Sequence, residues 1–320
     1  MPSRENYPAI FGSSGLKKTG LSDIPSSIRQ RLLNVSRDRK EEFQRTLNRY
    51  AIERFLYRLG QNRSAKNLVL KGAFLFEIWN PATCRPTRDA DLLSLGEPQV
   101  RQLGAIFASV CRQTFNTDGM TFDANTIRTE PIREGQFYGG LRVRVVGHLG
   151  TARAPLQFDI GFGDKIIPRP TIQSFPSLLG LPKPRIKIYS KESVIAEKYQ
   201  TVVFFGMINS RLKDYFDLFE MSQNFGFEGS TLSKAVEATF KARRTQLPAV
   251  LPLGLSKEFY NIAENQRRWR AFLERIGRAS SAPSLERVVK ALRRFLTPLA
   301  AALIDHKPFN LRWPAGGPWQ

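Results

Sequence analysis

The chain has 320 residues, 42% of them apolar, which is enough to bury one large core or two smaller ones and excludes a chain disordered over most of its length. Forty-nine Lys and Arg against 28 Asp and Glu give a net charge of +21, a surplus that points to a polyanionic partner, nucleic acid first. Two cysteines, Cys84 and Cys111, and two histidines, His148 and His306, leave no material for a disulfide framework, a Cys/His zinc site or a Ser/His/Asp relay. The opening MPSRENYPAIFGSSGLKK lacks an apolar stretch after its charges, and no run approaches the roughly 20 apolar residues of a membrane span, so a cytoplasmic protein is expected.

Residues 1–26, rich in Ser, Gly, Pro and Lys without apolar periodicity, read as an arm. From Ser27 to Gly60, Phe43, Leu47, Tyr50, Phe55 and Leu59 recur on one helical face with Arg and Glu on the other, predicting one long helix or two. Asn67 to Leu70 suits a strand, Lys71-Gly72 a turn and Ala73 to Trp79 a helix; Asp89 to Leu95 is the next strand after a loop bracketed by Pro81 and Pro86. A helix is expected from Pro98 to Thr114. Three extended stretches follow, Thr121–Thr129, Tyr138–Leu149 and Pro155–Phe162, the middle one alternating with period two as a strand with one wet face should. This order indicates an α+β fold. Five prolines between Pro168 and Pro184 mark a connector, and helices are expected at Lys191–Ile208, Ser210–Phe225, Thr231–Ala242, Ser256–Ile276 and Ser284–Ile304. The expected division is an N-terminal arm to 26, a sheet domain over 27–184, a helical domain over 185–307 and a tail over 308–320, docked or loose.

Three features could carry chemistry. Lys71-Gly72 sits where a strand passes into a helix, where a glycine lets backbone approach a ligand and a helix N-terminus offers amides to phosphate. In Arg85-Pro86-Thr87-Arg88-Asp89-Ala90-Asp91, two carboxylates two apart on a strand share a face, with Cα atoms about 6–7 Å apart, and repel unless a cation lies between them. Mg²⁺ takes one or two carboxylates together with substrate phosphates, which this pair supplies. Asp159, between Phe158 and Ile160 on an expected strand, is costly to bury unless paired or metal-bound, and Asp164 is the alternative third acid if the register is shifted. Each feature alone has a bland counterpart: a geometric glycine, a solvated strand end, a salt-bridged structural acid. Together they form the constellation of polymerase-beta-type nucleotidyltransferases, where metals held by carboxylates activate an attacking group and neutralise pyrophosphate.

Lys71-Gly72, Arg85-x-Thr87-x-Asp89-x-Asp91, Asp159, Ala196-Glu197-Lys198 and Ser210-Arg211-Leu212-Lys213-Asp214-Tyr215-Phe216-Asp217-Leu218, in this order between Ile28 and Phe272, resemble the AbiEii/AbiGii abortive-infection toxins of type IV toxin–antitoxin systems. Many members carry Gly or Ser where this chain has Ala73. The resemblance implies a polymerase-beta-like mixed sheet flanked by helices, followed by a helical domain that completes the site. It implies Mg²⁺ or Mn²⁺ on Asp89, Asp91 and Asp159, with Asp159 as third ligand or as base. It also implies Lys198 and Asp214 in the active site, and nucleotide contacts from Lys71, Gly72, Ala73, Thr87, Arg88, Arg211 and Lys213. Asp217 is expected to pair with Arg211 or Lys213, and Lys198, if merely structural, with Glu197 or Glu192. The implied reaction is NMP transfer from an NTP to an acceptor hydroxyl, with the 3′ end of tRNA first, and the implied partner is an antitoxin of winged-helix type. Residues 241–300 add 13 Lys and Arg against 4 acids, and Arg267, Arg268 and Arg270 around Trp269 suit an RNA backbone, as do Arg142 and Arg144, which could instead line the groove beside Asp159. The alternatives are a basic RNA- or NTP-binding protein without transfer, or a transferase acting on protein hydroxyls.

Overall fold

A computed structural model describes residues 24–81, 85–96, 100–132 and 139–320; residues 1–23 of the expected arm and Cys84 lie outside the described residues. The helical pattern that opens the chain folds as two helices, α1 (Ile24–Asp38) and α2 (Phe43–Gln61), separated where Lys40 adopts a left-handed φ of 52°. The expected wet face of α2 is not wet. Glu53, Arg54 and Arg58 are buried as deeply as Tyr50 and Phe55, because the proline-rich stretch crosses the first two and the segment from Gln113 to Met120 covers the third. Glu53 accepts from the Ser177 hydroxyl and the Leu178 amide, Arg54 donates to the Pro182 carbonyl, and Arg58 forms a two-pronged pair with Asp118 at 2.7 and 3.1 Å. Buried charge is tolerable here because each headgroup finds a partner.

The sheet is built from β1 (Leu68–Lys71), β2 (Ala90–Ser94), β3 (Met120–Ile132), β4 (Gly140–Leu149), β5 (Ala152–Phe162), β6 (Thr171–Ser174) and β7 (Arg185–Ile188), with α3 (Leu75–Trp79) and α4 (Val100–Cys111) between the early strands. Its order is β3-β4-β5-β2-β1-β7-β6. The β2/β5 and β1/β7 pairs are parallel and the others antiparallel, so this is the mixed sheet of an α+β fold. Two of its strands were not expected from the sequence. β6 forms inside the stretch taken for a connector, and β7 lies past residue 184, where only helices were expected. Both are four residues long, too short for a period-two pattern to show through the surrounding prolines.

Alternation on β4 and β5 turns Leu141, Val143, Val145, Leu156, Phe158 and Ile160 inward, where Phe158 meets Phe55 and Phe107 with ring centroids at 4.6 and 5.2 Å. Each fully buried phenylalanine of this cluster contributes on the order of 2 kcal/mol. The opposite face of the same strands is left for polar side chains.

Beyond the sheet come α5 (Lys191–Phe205), α6 (Leu212–Asn224), α7 (Gly229–Ala242), α8 (Lys257–Asn261), α9 (Ala263–Arg275) and α10 (Leu285–Ile304). The single helix expected over Ser256–Ile276 is two, parted at Ile262 in an extended conformation. The tail is docked: β8 (Phe227–Glu228) pairs with β9 (Arg312–Trp313), and Trp313 and Trp319 donate their indole N–H groups to the carbonyls of Ser222 and Phe295, both at 2.8 Å. Among the described residues no helix is long and apolar enough to cross a membrane.

Candidate active site

Register builds the site. Glu130 on β3 lies opposite Arg142 on β4, Arg142 opposite Asp159 on β5, Asp159 opposite Asp91 on β2, and Asp91 opposite Lys71 on β1. Residues directly opposite one another on neighbouring strands share a face, so five charged side chains form one row across the polar side of the sheet. Asp89 lies two residues before Asp91, just ahead of β2, and joins the same side by the period of the strand.

Gly72 ends β1 with a φ of +74°, and a Cβ there would stand 1.9 Å from Asp91 Oδ2. The glycine therefore makes room for the carboxylate of Asp91. The helix after it, α3, is a single turn of five residues, so its end contributes little of the dipole that a long helix brings to a phosphate.

The acids of the row differ in their partners. Asp159 is held by the Arg142 guanidinium through two bonds of 2.8 Å and accepts a third, at 3.3 Å, from the Gln157 amide. Among the described residues no donor reaches the carboxylate of Asp89 or of Asp91. Burial raises the proton affinity of both and Asp159 adds to it, while Arg142 and then Lys213 work against the rise at Asp89, and Lys71 and then Lys213 at Asp91. Lys213 itself has no ion-pair partner among the described residues, and desolvation followed by repulsion from Arg211 lowers its pKa. Two acids and a lysine thus face a shared space with their charges unmatched.

The facing helices carry the remaining expected residues. Lys198 on α5 donates to Asp214 at 2.6 Å and to Asp217 at 2.8 Å; Arg211 holds the second oxygen of Asp214 at 2.8 Å, and Arg85 forks onto Asp217 at 3.0 and 3.2 Å. Asp217 therefore pairs with Arg85 and Lys198, in place of the expected Arg211 or Lys213, because the helix turns it toward the loop before β2. Lys198 likewise bonds neither Glu197 nor Glu192. Burial alone would raise Asp214, yet Lys198 and then Arg211 outweigh it and hold the carboxyl well below the usual range; Lys198 and Arg85 do the same for Asp217.

A second cluster lies deeper. Lys71 donates to Asp164 and Glu197, both at 2.9 Å; Arg243 of α7 reaches the same two acids at 2.9 and 3.0 Å, and the Tyr189 hydroxyl donates to Glu197 at 2.5 Å. Asp164, the alternative third acid, is thereby committed to two cations, which hold it well below the usual carboxylate range against the effect of burial. Lys71 is equally committed. Arg85, Tyr189, Glu197, Asp217 and Arg243 were not expected as site residues; Arg85, Glu197 and Asp217 lie inside the segments that carry the family resemblance, whereas Tyr189 and Arg243 gave no signal.

Together these walls enclose a cavity of about 240 Å³ whose lining includes Gly72, Ala73, Asp91, Asp159, Lys198 and Lys213. Thr87, Arg88 and Asp89 do not line it: the Thr87 hydroxyl donates to the Asp89 carbonyl at 3.3 Å, Arg88 is exposed, and Asp89 stands partly exposed beside the cavity. Arg144 pairs with Glu130 at 2.9 Å on the surface, and Arg267 and Arg268 both grip Glu264, at 2.5 and 2.7 Å, with Arg270 exposed beside them. Trp269, expected as a surface aromatic, is buried against Phe216 and Phe272, its indole N–H donating to the Pro283 carbonyl at 3.0 Å.

The family model for the nucleotidyl transferase AbiEii toxin of type IV toxin–antitoxin systems matches residues 54–291, a span that contains every residue of the cavity wall. The chain belongs to the AbiEii family. An AbiEii chain is a nucleotidyltransferase and the toxin of a type IV pair, whose partner is an antitoxin. No curated protein matches this one. Two solved structures from Helicobacter pylori are similar, JHP933 and a candidate nucleotidyltransferase. Each has 14% identity and covers 79% of this chain, with 91% and 95% of their own chains covered and TM-scores of 0.41 and 0.42. For the divalent cation such transferases use, the unpaired oxygens of Asp89 and Asp91 are a fitting donor pair. Among the described residues no group of three or more acids, His or Cys is arranged to hold a metal.

Proposed function

We propose that this AbiEii toxin transfers NMP from an NTP to the 3′-terminal hydroxyl of tRNA in the cytoplasm, blocking translation and growth, with a winged-helix antitoxin as its partner. The observation that carries the reading is a mismatch of charge at the cavity: among the described residues no donor reaches the carboxylate of Asp91, which lines it, or of Asp89 beside it, and Lys213, which also lines it, has no acid partner. Solvent-facing loops tolerate unmatched charges, but a walled cavity holds them at a cost unless a charged ligand completes the set. A triphosphate with a divalent cation supplies both missing signs.

Asp89 and Asp91 would hold that cation, which when bound shields the triphosphate and the pyrophosphate that leaves. Lys213 meets the phosphates as a point charge. Lys198, fixed between Asp214 and Asp217, ties α5 to α6, and Arg85 on Asp217 ties α6 to the loop before β2, which holds this wall of the cavity beside the acids. The acceptor oxygen forms its bond to the α-phosphorus as the α–β bridging bond breaks in line, pyrophosphate departs, and the hydroxyl proton passes to the Asp159 carboxylate. The net charge of +21 favours an RNA acceptor over a protein hydroxyl.

Incubation with each labelled NTP, Mg²⁺ and total tRNA, beside Asp89→Ala, tests this. Label in the tRNA with wild type and none with the variant is the expected result. Equal labelling, or bound NTP recovered unchanged with every acceptor, overturns it.

A further inference from the structure

The charged row across the sheet runs Glu130, Arg142, Asp159, Asp91, Lys71, so its signs alternate except at one junction, where Asp159 and Asp91 stand side by side. Lys71 acts on that junction only through space, its charge favouring the ionised form of Asp91, because its ammonium is bonded to Asp164 and Glu197. Arg142 relieves one side of it. We infer that Arg142 is a resident cation that takes the place of a second metal ion, so that this site binds one divalent cation, on Asp89 and Asp91, and Asp159 is not a ligand. The inference rests on the metal-dependent reading above.

Three observations converge on Arg142. Both oxygens of Asp159 are engaged by its guanidinium, in the planar fork that matches a carboxylate and that a metal ion would have to break. Gln157, on the strand of Asp159 itself, adds a third donor to one of the same oxygens, so three of the roughly four acceptor positions of the carboxylate are taken. On the far side of Arg142, Glu130 lies at 3.9 Å and is itself bonded to Arg144 at 2.9 Å, so the arginine is braced from both neighbouring strands. With Asp159 neutralised, the acids that remain are Asp89 and Asp91, whose two negative charges match one divalent cation.

The experiment counts Mn²⁺ ions on the full chain without nucleotide, by titration against the electron paramagnetic resonance signal of free Mn²⁺. The expected results are one ion per chain in wild type, a loss of about 100-fold in affinity in Asp91→Asn, unchanged affinity in Asp159→Asn, and a second ion in Arg142→Gln. Two ions in wild type, or an affinity loss in Asp159→Asn as large as in Asp91→Asn, overturns the inference and leaves the transferase reading standing. Absence of Mn²⁺ binding in wild type overturns the inference, and the labelled-NTP assay alone decides the transferase reading. Should Asp159→Asn fail to fold by circular dichroism, Arg142→Gln decides alone: an ion count that stays at one there overturns the inference.

Discussion

The cavity has two kinds of charged wall. In the deep wall, Lys71, Asp164, Glu197 and Arg243 satisfy one another within 3.0 Å, whereas at the rim Asp89, Asp91 and Lys213 have no partner among the described residues. The difference separates holding from reacting. A matched network at this depth fixes β1, the end of β5, α5 and α7 to one another, and removing a member leaves a buried charge exposed to its own desolvation. An unmatched set stabilises nothing by itself and gains its partners only with the ligand.

The largest effect should come from the rim. Asp91→Asn is expected to lower NMP transfer about 10³-fold while leaving the melting temperature at neutral pH equal to or above that of wild type; a clear drop in melting temperature would erase the distinction between the walls. Arg243→Ala should do the reverse, costing about 3 kcal/mol in urea unfolding with a smaller loss of transfer per folded molecule. Gly72→Ala joins the two, because its Cβ would collide with Asp91 Oδ2 at a backbone angle unsuited to alanine. A loss of about 2 kcal/mol together with failed transfer is expected, and a crystal structure of the variant should show Asp91 displaced.

The pH dependence of stability should be the mildest readout and differs in sign between the walls. The carboxyls of Asp164, Asp214 and Asp217 are held below their unfolded value of 3.8. Their contribution is complete above that value and fades as acid is added below it. Asp89 and Asp91 are raised, so the stability they give is present only while protonated and is lost as pH climbs through their folded values. Asp91→Asn should therefore flatten the decline on the alkaline side of pH 4 and leave the acid limb unchanged, as measured by thermal melts across pH.

The sequence was informative where chemistry is local and silent where it is assembled across distance. The two-residue spacing of Asp89 and Asp91 put that pair on one face and the apolar flanks of Asp159 put it on a strand, but that β5 lies beside β2 with Asp159 opposite Asp91 was implied only by the family resemblance. Resemblance to the toxin family drew Lys198 and Asp214 together, and they are 2.6 Å apart. Nothing near Arg243 or Tyr189 in the chain marks them, because their meaning lies in partners 79 and 8 residues away. Trp269 misled for a related reason: three arginines around an aromatic look the same on paper whether the ring stacks on solvent-side bases or fills a helix interface, and only the packing of Phe216 and Phe272 chooses between them.

The order of the sheet also governs when the toxin first becomes dangerous. β2 is flanked by β5 through residues 158–162, β1 waits for Ile188 of β7, and Lys198 is anchored only once Asp214 and Asp217 of α6 have emerged. A chain leaving the ribosome therefore carries its acidic pair for more than a hundred residues of synthesis before the walls around it can close. A copy that ends before Asp217 lacks the ion pairs that join α5 to α6 and to the loop before β2.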